Sequence, residues 1–292
     1  MKLAKSIAAL PILLTVGSGC SDSYEPLPEP DFRLPDLVSS ITSEYFDEEY
    51  IYDDENRIAK WISSSSSLNQ KVSCVYEYPD DNTITMDLSE QVFFEPDTYL
   101  RHFDVSLTLD NEGKITVADG IFNYTKNDLL MLRKKYRHEF EYDDSGHLVS
   151  IKCTEWMANR DGWDMDHPWQ WVNTLTWDGD NLIRYEDYNG SSKPQYISEY
   201  SYSGIPVAKH KPNVFPTIIS GYIPLQLTGR FGKQSEGEVM GRTVTNSNGN
   251  RSHNEYAYEF TKTAAGPIIS RFWEYRDNGF EIEYRVKWLK SR

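Results

Sequence analysis

A seven-residue phrase recurs five times along this chain and restricts its fold more than any other feature. Its form is an aromatic residue or Leu, three turn-forming residues, Gly or Asn, one free position, then Ile or Leu. The copies are Tyr52-Asp53-Asp54-Glu55-Asn56-Arg57-Ile58, Tyr78-Pro79-Asp80-Asp81-Asn82-Thr83-Ile84, Leu109-Asp110-Asn111-Glu112-Gly113-Lys114-Ile115, Tyr142-Asp143-Asp144-Ser145-Gly146-His147-Leu148 and Trp177-Asp178-Gly179-Asp180-Asn181-Leu182-Ile183. Each reads as a hairpin tip. A strand closes on an apolar residue, Asp opens the turn, Gly or Asn takes the left-handed position, and an aliphatic residue starts the next strand. The copies begin at 52, 78, 109, 142 and 177. Each interval has room for two strands and two turns, which predicts an up-and-down order.

Between the phrases, alternation supports strands. Phe140 and Tyr142 share one face of Arg137 to Tyr142, with charges on the other. Ile282, Tyr284, Val286 and Trp288 alternate with Glu281, Glu283, Arg285 and Lys287. Twenty tyrosines and abundant Thr suit a pleated surface. One short helix is expected near Lys126 to Lys134, where Asn127-Asp128 would cap it, with a strand as the alternative. Tyr200-Ser201-Tyr202-Ser203-Gly204 reads as a degenerate sixth hairpin. The apolar, proline-punctuated stretch from Pro206 to Pro224 reads as a loop packed across an open side of the sheet. The expected fold class is all-β: an antiparallel up-and-down meander forming a strongly curved sheet or an open barrel, and soluble.

Lys2 and Lys5 precede an apolar run from Ile7 to Val16, followed by Gly17-Ser18-Gly19-Cys20. That is the layout of a secretory signal, and the run is too short to span a bilayer as a stable helix. A cysteine after small residues resembles a bacterial acylation site, although Gly17 stands where Leu is usual. The expected division is a signal peptide over 1–19, then Cys20 and a Pro-rich tether over 20–40, then one β-meander domain over 41–292. The expected location is the outer membrane, on its periplasmic or cell-surface side, with acyl chains as the attachment. The formal charge is −15 with acids scattered along the chain, which disfavours nucleic acid as a partner. Cys74 and Cys153 fall in strand-like runs and are either two buried thiols or one disulfide.

The Tyr/Trp-Asp-x-x-Gly/Asn phrases, the Lys211-Pro212-Asn213 loop and Gly232-Lys233-Gln234-Ser235 together resemble an uncharacterised family of Bacteroidetes lipoproteins, DUF4595, over about residues 45–292. The phrases also resemble the YD repeats of Rhs-type shells, but five copies are too few to enclose cargo. The family resemblance implies a porin-like β fold and no activity. Dense charge throughout, and a tail from Trp288 to Arg292 without a terminal aromatic, argue against a membrane-spanning barrel.

Five of the eight tryptophans lie between 156 and 177. Trp169, Trp171, Leu175 and Trp177 share one parity and read as a core-facing stripe. Trp163 sits in a loop-like stretch beside Asp161, Asp164 and Asp166. It is either a sugar-stacking platform flanked by hydrogen-bond acceptors or a loop Trp folded back over the sheet. The three Asp fail the spacing of a calcium loop, and the Asp pairs at hairpin tips are turn formers rather than acid/base dyads. His138 and His147 fall beside a hairpin tip and are expected at the surface. No G-x-S-x-G, H-E-x-x-H, zinc or phosphate-loop pattern is present. The chain is therefore expected to be noncatalytic, without metal or cofactor: a binding or scaffolding module for a glycan or a protein partner. A structural accessory is the alternative, and a hydrolase site built across strands comes last.

Overall fold

The computed structural model describes residues 37–159, 162–206, 219–235, 237–263 and 266–289. Cys20, Asp161 and most of the Pro206–Pro224 stretch lie outside these residues. The strands in chain order are β1 (Val38–Ser43), β2 (Phe46–Tyr52), β3 (Ile58–Ser65), β4 (Gln70–Asp80), β5 (Thr83–Phe94) and β6 (Asp97–Leu109). Then come β7 (Ile115–Lys126), β8 (Leu129–Tyr142), β9 (Leu148–Asn159), β10 (Gly162–Trp163), β11 (Trp169–Asp178) and β12 (Asn181–Asp187). The last are β13 (Tyr196–Pro206), β14 (Gly237–Asn246), β15 (Arg251–Thr263), β16 (Gly266–Arg276) and β17 (Glu281–Trp288). Each pairs antiparallel with its sequence neighbour, except that β10 is a two-residue stub on β9 and β11 takes its place beside β9. β1 pairs with both β2 and β17, so sixteen strands close into a barrel. The expected meander is present, and its two edges meet. Val38 and Ile41 belong to this ring, so it begins inside the span read as tether.

Consecutive hairpins point to opposite ends, and all five phrases fall at the same one, here the repeat end. The first, third and fourth copies share one geometry. Asp53, Asp110 and Asp143 each accept two backbone N–H bonds at 2.9–3.0 Å through Oδ1. Asn56, Gly113 and Gly146 each take a positive φ, between 60° and 87°, where a side chain with Cβ is strained. The other two copies turn differently. Asn82 and Asn181 are not left-handed, and in the fifth copy Gly179 takes the positive φ, 55°.

The first position of the phrase has a second role. Tyr78 Oη donates to the Ile58 carbonyl at 2.9 Å, Tyr142 Oη to Ile115 at 2.6 Å, and Trp177 Nε1 to Leu148 at 2.8 Å. Each acceptor is the last residue of the phrase one hairpin earlier. Tyr52 to Val38, Tyr202 to Leu182, Tyr258 to Val239 and Trp288 to Ile269 extend the series at 2.6–2.8 Å. Aromatic donors thus run around the repeat end, and Leu109, which cannot donate, breaks the run.

The wall alternates with period two. Val72, Cys74 and Tyr76 are buried while Lys71 and Glu77 are exposed; Val105, Leu107 and Leu109 are buried while Asp104, Ser106 and Thr108 are exposed. This polarity is the reverse of a membrane-spanning barrel, where the outward band is apolar and each Lys or Arg at midplane costs about 2–4 kcal/mol.

A sixteen-strand lumen is wider than wall side chains alone can fill. The connection between β13 and β14 supplies the remainder. Its helix α1 (Tyr222–Leu227) follows the buried Ile219 and itself buries Tyr222 and Leu225. Tyr76 Oη donates to the Gly221 carbonyl at 2.6 Å, and a Cβ at Gly221 would lie 2.7 Å from Met86 Sδ. The described part of the proline-punctuated stretch therefore fills the inside of a closed barrel and does not cover an open side. Two other expectations fail. The helix near Lys126 to Lys134 gives way to its strand alternative, a β-hairpin, because Asn127 and Asp128 both take positive φ, 49° and 63°, the requirement of a two-residue turn. Tyr200 to Gly204 runs within β13 and turns no corner. Cys74 and Cys153 are separate buried thiols; burial pushes Cys74 up to about 12 and raises Cys153 as well.

Candidate functional site

The rim end, opposite the phrases, carries the loop singled out for Trp163. Trp163 pairs across from Ala158 at the end of β9, and the Arg133 guanidinium lies 5.2 Å from its ring centre. Lys134 lies 5.8 Å from Trp169, and Lys135 5.7 Å from Trp156. Three successive residues of β8 therefore each set a cation over an indole, a favourable contact with the ring's negative face. Trp163 is half-buried, and Asp164 accepts from or pairs with His167 Nδ1 at 3.0 Å. Asp166 is exposed. In the expected stripe, Trp171 and Leu175 are buried, but Trp169 stands at the rim, 48% exposed. Trp177 is half-buried beyond a bulge at Thr176. No group of three or more His, Cys, Asp or Glu among the described residues could hold a metal.

At the repeat end, His147 is buried, contrary to expectation. Its Nδ1 lies 3.2 Å from Asp143 and its Nε2 2.8 Å from Asp180, with the Trp177 ring stacked at 4.4 Å. Backbone hydrogen bonds from His147 are the main reason Asp143 titrates below the usual carboxylate range. Lys233 donates its backbone N–H to Gly146 at 2.9 Å, tying the end of the lumen segment to this tip. A cavity of about 30 Å³ lies beside it, lined by Trp177, Tyr200, Phe231 and Ser235 among others; that holds water but no sugar ring. His138 is also buried, bonded to Tyr222 Oη at 3.2 Å, and burial lowers it to about 3. Both histidines belong to packing and to fastening the lumen segment.

The feature that the sequence reading did not identify is the inner wall from β13 to β16. Tyr200, Arg242, Asn254 and Arg276 stand directly opposite one another in register on four adjacent strands. Their face is the inner one, since Tyr256 stands opposite Glu274, and Glu274 opposite the buried Ile282. Glu274, 8% exposed, accepts from Asn254 Nδ2, Arg276 Nε and Tyr284 Oη, each at 2.8 Å. Arg242 Nη2 donates to Ser198 Oγ at 3.1 Å. From β3 to β11 the inward positions are mainly Ile, Leu, Met and aromatic, and the charges that face inward near the rim are paired, Arg101 with Glu90 and Lys134 with Glu155; here Arg242 faces inward without a carboxylate among the described residues. The signal was present as polar residues in phase with Tyr200 and Tyr256, but parity does not say which phase faces inward.

A crystal structure of a porin-like protein from Bacteroides uniformis is similar in fold, with a TM-score of 0.50 at 13% identity, over 86% of this chain and 96% of that one. No family model and no curated protein matches the chain. The chain is an all-β, porin-like closed barrel with a charged outer wall and a largely apolar, filled interior.

Proposed function

We propose that the chain is an exported, noncatalytic binding module of the DUF4595 lipoprotein type, held at the outer membrane by acyl chains on Cys20. β1 starts and β17 ends at the repeat end, so a tether places that end toward the membrane and leaves the rim free. One observation carries the binding role: the inner wall of β13–β16 is polar up to the rim, and its Arg242, unlike the inward Arg101–Glu90 and Lys134–Glu155 pairs, meets no carboxylate among the described residues. Folding alone gives no reason to place charge inside a barrel. The ligand class this favours is a glycan entering at the rim, where Trp169 and Trp163 offer ring faces and Asp164 and Asp166 offer acceptors. A glycan array followed by isothermal titration tests it, with Trp169→Ala and Trp163→Ala alongside. Binding lost in either variant supports the reading, and silence across the array removes the glycan.

A second reading is favoured by Phe94, Leu129, Leu130 and Met131, all more than half exposed on the β5–β6 and β7–β8 tips. Apolar tips of this kind suit docking of a protein partner. Crosslinking in native membranes tests it; a strictly solitary protein removes it. The anchor is tested separately, since Cys20→Ala releases the chain from the membrane fraction only if acylation holds it there.

A further inference from the structure

Arg242 is the inward-facing cation that no carboxylate answers among the described residues. One register position away, across Asn254, Arg276 meets Glu274 at 2.8 Å. Elsewhere on the inner face Arg101 meets Glu90 at 3.5 Å and Lys134 meets Glu155 at 2.7 Å. Arg242 has the Ser198 hydroxyl and the Tyr200 ring, 5.8 Å from its Cζ, and no carboxylate among the described residues. Its Nε is buried without an acceptor. A guanidinium is always charged and presents donors in a planar fork that matches an oxyanion. Holding it half-buried without a counter-charge is costly unless an anion arrives.

We propose that Arg242 is the anion-holding residue of a lumen site whose ligand is an acidic saccharide, its carboxylate on the guanidinium. This deepens, and rests on, the reading of the chain as a rim-entry binding module. The surroundings fit that class. Asn254, directly opposite Arg242, offers a neutral amide to hydroxyls, and Tyr256, half-buried on the same strand, offers a ring for the apolar side of a sugar. Glu274 is fully engaged by its three donors, so it keeps Arg276 neutralised while Arg242 stays available.

The test uses the full chain carrying Cys20→Ser, with thermal shift and isothermal titration against trigalacturonate, a neutral trisaccharide and sodium sulfate. Trigalacturonate should raise Tm, and Arg242→Met should weaken its binding by about tenfold or more. Arg242→Lys should retain part of the affinity as a point charge. Without ligand, Arg242→Met should melt no lower than the parent, because it removes an uncompensated charge. Equal responses of parent and Arg242→Met to both acids overturn the proposal, as does no response from the parent to either. Trigalacturonate and the neutral trisaccharide both bound equally by parent and Arg242→Met would remove the anionic subsite yet leave the binding-module reading standing. Sulfate protection confined to the parent, with no saccharide bound, would do the reverse.

Discussion

From β3 to β11 the inner wall is Ile, Leu, Val, Met, Cys and aromatic rings closed over α1, with its inward charges paired near the rim as Arg101–Glu90 and Lys134–Glu155; from β13 to β16 it carries Tyr, Arg, Asn and Glu. Burial explains most of the first wall. Ile84, Leu88, Leu107, Ile115 and Leu148 have no exposed surface, and each such side chain contributes roughly 1.5–3 kcal/mol. The second wall has no such account. Glu274 is satisfied by three donors, whereas Arg242 meets no carboxylate among the described residues. The contrast separates the part of the lumen that burial explains from the part to which the proposal assigns a ligand.

The sharpest way to break the first wall is Gly120→Val. A Cβ there would lie 2.4 Å from Tyr136 Oη and 2.8 Å from the Asp104 carbonyl, and a backbone atom cannot step aside. The expected cost is about 4 kcal/mol, read as a lowered denaturation midpoint; a shift within 1 kcal/mol would show that this wall is loosely packed. On the second wall, Glu274→Ala leaves Asn254, Arg276 and Tyr284 without their shared acceptor. The expected loss is about 2 kcal/mol, moderated because Arg276 is partly solvated. An unchanged midpoint would mean that water replaces the carboxylate and that the polar wall is wetter than its hydrogen bonds suggest.

His138 sharpens the comparison through pH. Burial lowers it to about 3 from an ordinary value of 6.5, so the folded chain holds it neutral while the unfolded chain protonates it. Its contribution is fully present above pH 6.5 and is lost as pH falls from there toward 3, at about 1.4 kcal/mol per pH unit. His138→Gln should flatten that part of the stability–pH curve. An identical slope in the variant would place the acid sensitivity elsewhere.

Much of the barrel was legible in the sequence because its hairpins are local. The phrase states where strands reverse, and its spacing states that they do so in order. Two further tips, Asn246 to Asn250 and Arg276 to Phe280, have the same turn, with Gly249 and Gly279 at positive φ, 81° and 79°. They were missed because Arg251 and Glu281, not aliphatics, follow them. Closure was not legible: the pairing of Val38 with Trp288 joins residues that no local pattern connects. His138 was misread although it shares the parity of Phe140, so the alternation already held the correction. The polar wall was hidden by register, since bulges at Ser201/Tyr202 and Glu259/Phe260 change which parity faces inward.

The smallest expected effect tests the aromatic donors that both walls share at the repeat end. Tyr142→Phe keeps the ring and removes the hydrogen bond to Ile115, and should cost about 1 kcal/mol. Trp177→Phe should cost more, because it also removes ring area stacked on His147. Leu109 is the natural counterpart, the one phrase whose first residue cannot donate. Leu109→Tyr, placed as Tyr78 and Tyr142 are, would bring a hydroxyl toward the start of β5 and recover a similar amount. Chemical denaturation of the three variants separates two causes of the recurring aromatic. A loss in Tyr142→Phe with a gain in Leu109→Tyr makes the donated hydrogen bond the reason. A neutral Tyr142→Phe makes it the ring alone, and the run of donors becomes a by-product of packing around the barrel's end.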